Sequence, residues 1–96
     1  MPTYTVMVTS EIEFSGGAAR GTGMPFPGGS ITAYGGAGVE VQIHTITYAN
    51  PQSTAKVCQF ARLQTLNAIQ RNAQKYNWAS QGLRVRVIDC TITGVV

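Results

Sequence analysis

Three stretches of this chain repeat with period two, and a long segment of helical pattern lies between the last two. Residues 3–14, TYTVMVTSEIEF, alternate without a break. Tyr4, Val6, Val8, Ile12 and Phe14 fall on one side; Thr3, Thr5, Met7, Thr9, Glu11 and Glu13 fall on the other. That is the signature of a half-buried strand. Residues 39–48, VEVQIHTITY, alternate with a slip of phase: Val39, Val41 and Ile43 are odd, Ile46 and Tyr48 even. If apolar residues mark the core side, one extra residue near His44 or Thr45 restores the facing, so a β-bulge is expected there. Residues 83–93, LRVRVIDCTIT, slip in the same way, from Leu83, Val85 and Val87 to Ile88, Cys90 and Ile92. A second bulge, or a sharp twist, is expected near Val87 to Asp89.

Between the last two strands, Asn50 and Pro51 supply a cap residue followed by proline at the first helical position. No glycine or proline interrupts the chain from there to Asn77, and Asn77 or Gly82 can end the helix. A helix of about 26 residues spans about 39 Å, matching a twelve-residue strand. The order is β-β-α-β. A strand–helix–strand crossover makes its two strands parallel. Placing the first strand between them gives spatial order 2-1-3. The expected fold is therefore α+β, a split β-α-β-like sheet with the first strand central and one long helix on one face. Residues 1–96 form a single domain.

The register then tests itself. One end of the exposed face collects Thr3 and Thr5, Thr45 and Thr47, Thr91 and Thr93. The other collects Glu11 and Glu13, with Arg84 and Arg86 on one side and Glu40 and Gln42 on the other. Cross-strand threonine pairs and opposite charges both stabilise a sheet.

The helix carries more apolar surface than one sheet can use. Ala55, Cys58, Leu66, Ile69, Ala73 and Tyr76 form the stripe expected to meet the sheet, with Arg62 snorkelling beside it. Val57, Phe60 and Leu63 point the other way. Such a cluster calls either for a subunit contact or for a cover from the same chain. The cover at hand is the segment 15–38, SGGAARGTGMPFPGGSITAYGGAG, which holds nine of the eleven glycines. An antiparallel connection needs only two to five residues, so this length marks a functional arm or flap. Met24 to Pro27 reads as an anchor, and Ser30 to Tyr34 as a short strand or ribbon tip. The expected interface residues are Val57, Phe60, Leu63, Met24, Phe26 and Tyr34. Arg20, Gly21 and Gly23, in GGAARGTG, offer an alternative use as an anion nest.

No reactive set accompanies this framework. His44 is the single histidine, Glu11 and Glu13 face arginines, and Cys58 and Cys90 lack zinc-like spacing. No catalytic residue, metal site or cofactor is expected, and Trp78 reads as a packing residue. The N-terminus lacks the basic and apolar regions of a signal peptide, and no run is long enough to cross a membrane. The expected setting is the cytoplasm or a virion, with both thiols reduced. Charged residues make up only 11% of the chain, and the net charge is +3. Scarce charge permits self-association, and without a basic cluster it argues against nucleic acid. The expectation is a homo-oligomeric structural or assembly protein, of the kind that builds virions or other particles. The alternatives are a small binding or inhibitor module that grips an anionic ligand or a protein partner through the glycine-rich segment, a nucleic-acid-binding protein, and a small enzyme using His44 at a subunit interface.

Overall fold

The computed structural model describes residues 1–14, 23–26, 29–32, 37–75 and 82–96. Its elements are β1 (Thr3–Phe14), β2 (Gly23–Phe26), β3 (Gly29–Thr32), β4 (Ala37–Thr47), α1 (Thr54–Lys75) and β5 (Leu83–Val95). Strands β4, β1 and β5 form one sheet in that order, with β1 antiparallel to both neighbours. This is the α+β arrangement expected from the alternations, with the first strand central. Within the glycine-rich segment β2 and β3 pair as a small antiparallel ribbon. The ribbon approaches α1 through β2 and β4 through β3. The expected tip at Ser30 to Tyr34 begins one residue earlier, at Gly29, and is described as strand as far as Thr32; Pro27, Ala33 and Tyr34 lie outside the described residues.

The ladders correct one expected bulge and bear out the other. β1 and β4 pair from Thr3↔Thr47 to Glu13↔Ala37 without a shift, so β4 carries no bulge at His44 or Thr45. The β1–β5 ladder shifts twice. Ile88 is extra between Val87 and Asp89, as the sequence suggests, and Thr93 is extra between Ile92 and Gly94. Gly82, with φ of 68°, takes the left-handed conformation that leads into β5.

An unbroken β4 keeps its period, so Glu40, Gln42 and His44 face the helix, in line with Ile46. Glu40 and Gln42 are buried. Their expected place on the open face is taken instead by Val39, which pairs with Glu11, and by Val41, which pairs with Thr9. The helix meets this polar run with a residue of its own kind. Gln42 Nε2 donates to the Thr65 carbonyl at 3.3 Å, and His44 Nε2 lies 2.8 Å from Thr65 Oγ1. Buried polar groups persist where such partners exist.

Thr65 thereby sets the rotation of α1. The residues buried against the sheet are Val57, Ala61, Thr65 and Ile69, one every fourth position. Of the expected stripe, Ile69 is buried and Cys58 partly so, but Ala55 and Leu66 are exposed. Val57, expected to point away, is completely buried in a cluster with Tyr4, Val6, Val8 and Ala61. The helix also starts later than Asn50–Pro51. Ser53 is the cap: its Oγ accepts from the Lys56 N–H at 3.2 Å, and its carbonyl accepts from Val57. Tyr4 Oη fixes the approach to this cap, accepting from the Gln52 N–H at 3.0 Å and donating to the Gln52 carbonyl at 3.3 Å.

The thiols are not free. Cys58 and Cys90 form a disulfide with their Cα atoms 6.0 Å apart. The rotation of α1 that buries Val57 brings Cys58 over β5, where Cys90 faces the helix. Composition carries no information on that proximity.

Candidate association surface

Hydrogen bonds at the end of the sheet fix which backbone groups of β4 are used. The Tyr48 N–H donates to the Pro2 carbonyl at 3.0 Å, while Thr3 exchanges two bonds with Val96. Thr3 therefore turns its backbone groups toward β5, and the even residues of β1 turn theirs toward β4. Antiparallel pairs alternate strictly, and this ladder has no shift. The even residues of β4 consequently bond β1, and the odd residues, Val39, Val41, Ile43, Thr45 and Thr47, direct their N–H and C=O groups outward. Among the described residues, no strand is hydrogen-bonded to that outer side.

The same odd residues supply the open face of the sheet. Val39, Val41 and Ile43 are 54%, 40% and 67% exposed. They lie beside Glu11, Thr9 and Met7 in the register. Backbone pairing capacity and an apolar stripe thus coincide on one continuous strand. A long, unbulged, apolar edge free of outward charge is the form that natural sheets normally avoid.

The opposite edge is different. β5 is interrupted twice, and its open face carries Arg84, Arg86 and Asp89. Arg86 Nη2 lies 3.2 Å from Glu11 Oε2 in an exposed pair, and Thr91 Oγ1 donates to Asp89 at 3.0 Å. Exposed pairs contribute little stability. Charges and bulges do, however, discourage another chain from pairing there. The threonine end behaves as expected: Thr3 Oγ1 and Thr47 Oγ1 are 2.9 Å apart, and Thr93 Oγ1 donates to the Thr5 carbonyl at 3.2 Å.

A second apolar surface lies on the outer side of α1. Phe60 and Leu63 are 41% and 55% exposed, and Leu66 continues the patch. Tyr48 meets Phe60 edge-on at 6.5 Å between ring centroids and Tyr4 at 5.8 Å. Tyr48, Lys56, Gln59, Phe60 and Leu63 line a hollow of about 170 Å³ there.

No family model matches the chain, and no curated protein or solved structure does either.

Of the residues expected at an interface, Phe60 and Leu63 are exposed on one patch, whereas Val57 belongs to the core. Met24 and Phe26 lie in β2, and Gly23 begins it. Tyr34, Arg20, Gly21, Tyr76 and Trp78 lie outside the described residues. Sequence reasoning missed Val39, Val41 and Ile43. Their signal was present: the period of two, followed through His44 without a slip, puts all three on the open face. Among the described residues no group of three or more His, Cys, Asp or Glu side chains is placed to hold a metal, and no helix is long and apolar enough to cross a membrane.

His44 is not a free base on the open face. Burial beneath α1 lowers its pKa below the ordinary 6.5. The folded state therefore binds the proton less readily than the unfolded chain. Above the unfolded value both states are neutral, and the contact with Thr65 contributes fully. As pH falls below about 6.5 the unfolded state takes up protons first, so stability declines until the folded pKa is passed. Urea unfolding between pH 8 and pH 4 is expected to show this decline, and His44→Gln to flatten its part near pH 6. An identical slope in both proteins would exclude His44 as the cause.

Proposed function

We propose that this protein is a homo-oligomeric structural subunit whose work is done by contacts between copies, as in a virion or another symmetric particle. The observation that carries this reading is the outer margin of β4, where Val39, Val41 and Ile43 are exposed beside outward-facing backbone groups. Open sheet edges recruit strands from other chains. The patch of Phe60, Leu63 and Leu66 lies on the other side of the molecule, on the outer side of the helix layer. Two apolar surfaces on opposite faces let one copy touch two different neighbours, which an assembly larger than a dimer requires. With charged residues at 11% of the chain, little repulsion opposes close packing of copies.

The disulfide bears on location. Such bridges persist on virions, at cell surfaces and outside the cytosol. Of the two settings expected from the sequence, the bridge favours a particle that leaves the reducing cytoplasm.

The test is mass in solution. Light scattering on the oxidised protein at tens of micromolar is expected to give a multiple of the single-chain mass. Ile43→Lys places a charge on the apolar margin without touching the core. It is expected to shift dissociation to about hundredfold higher concentration, with an unchanged circular dichroism spectrum. A wild-type protein that stays a single chain up to millimolar concentration removes the reading.

A further inference from the structure

Resting on that reading, we infer that the occupant of the β4 margin is β4 of a second copy, paired antiparallel about a twofold axis at Val41. Three observations select this partner and this register. First, the outward groups all belong to odd residues, and an antiparallel twofold centred on an odd residue brings odd opposite odd. Every outward N–H and C=O in the overlap then finds its complement on the copy. Second, hydrophobic pattern sets register. Centring on Val41 puts Val41 opposite Val41 and Val39 opposite Ile43, so six exposed apolar side chains meet in one block. Centring on Ile43 instead places Val41 opposite Thr45 and Val39 opposite Thr47, wasting the stripe. Third, the other face of the strand is compatible with the same register. Gly38 falls opposite His44, and Glu40 falls opposite Gln42, a carboxylate facing an amide that can donate to it. No like charges fall directly opposite one another in the pairing. The axis stands perpendicular to the sheet, so both copies of α1 lie on one side of it and the six apolar side chains on the other.

The pairing predicts its own cross-link. At the axis, two hydrogen-bonded antiparallel residues have Cα atoms about 5.5 Å apart, inside the range a disulfide spans. Residue 39 lies about 14 Å along the strand from its own counterpart, four residues removed, and so does residue 43. Single variants Val39→Cys, Val41→Cys and Ile43→Cys, each at an exposed position, are oxidised mildly and run on non-reducing gels. Val41→Cys is expected to give a covalent dimer at least tenfold faster than the other two alone. Mixing Val39→Cys with Ile43→Cys is expected to restore fast dimer formation. Fast cross-linking of Ile43→Cys alone would overturn the register. No cross-link from any of them, with light scattering still showing an oligomer, would overturn the β4–β4 contact and leave the assembly reading standing. A single-chain mass would remove both.

Discussion

Val57→Asp abolishes the folded state, whereas Phe60→Asp, three residues along the same helix, costs about 1 kcal/mol. Val57 is completely buried among Tyr4, Val6, Val8 and Ala61, which offer a carboxylate no charge, and the one hydroxyl among them, that of Tyr4, already donates to the Gln52 carbonyl. Removing the valine side chain forfeits about 2 kcal/mol of burial, and an unpaired buried charge adds several more. The sum exceeds about 5 kcal/mol, which rivals the whole stability of a domain this small. Phe60 keeps part of its ring against Tyr48, but its outer side is in water, and an aspartate there remains solvated. Circular dichroism and thermal melting of the two variants distinguish these outcomes. A folded Val57→Asp protein with a cooperative melt would place Val57 on the surface and contradict the rotation of α1. The same pair separates core from contact. Phe60→Asp should weaken association while leaving the fold intact, a combination unavailable to a core residue.

Breaking the Cys58–Cys90 bridge is expected to lower stability by about 3–4 kcal/mol, from the entropy of a closed loop with a sequence separation of 32 residues. The measurement is urea unfolding of oxidised protein, of protein in reductant, and of the double variant Cys58→Ser/Cys90→Ser. The last two should coincide, with midpoints well below the first. The effect is large because the bridge joins α1 directly to β5, the strand that follows it in the chain. Once it is cut, contacts between those two layers must be found anew each time the chain folds. Two titratable thiols in the denatured, unreduced protein would show that the bridge is absent and would cancel this expectation.

The parts of the fold that were legible came from β1 and β5. In β1 every core-facing residue but Ser10 is apolar, so the period alone names the buried side. In β5 the apolar residues change parity at Ile88, and a real bulge accompanies the change. β4 shows the same change of parity without a bulge. Its helix-facing set is polar at one end, Glu40, Gln42 and His44, and apolar at the other, Ile46 and Tyr48. Its open-face set runs the opposite way, from valine and isoleucine to threonine. Equating apolar with buried turns this arrangement into a phase slip. What makes the polar end stable is Thr65, whose carbonyl and hydroxyl reach Gln42 and His44 from more than twenty residues away. A partner that distant leaves no trace in the local pattern. The same omission hid the apolar edge of β4 and misassigned Val57, because the rotation of the helix follows from where Thr65 must point. The surplus of apolar helix surface was nonetheless legible: Phe60 and Leu63 do face away from the sheet.

The irregularity of β5 limits how far such sheets can grow. A sheet made by joining β4 to β4 exposes β5 at both of its outer margins, each interrupted at Ile88 and Thr93 and lined by arginine and aspartate. Both margins carry the charges and bulges that discourage a further strand. Under the proposed pairing, polymerisation by this route would stop after one addition, and any larger structure would be built through the helices rather than as a fibre.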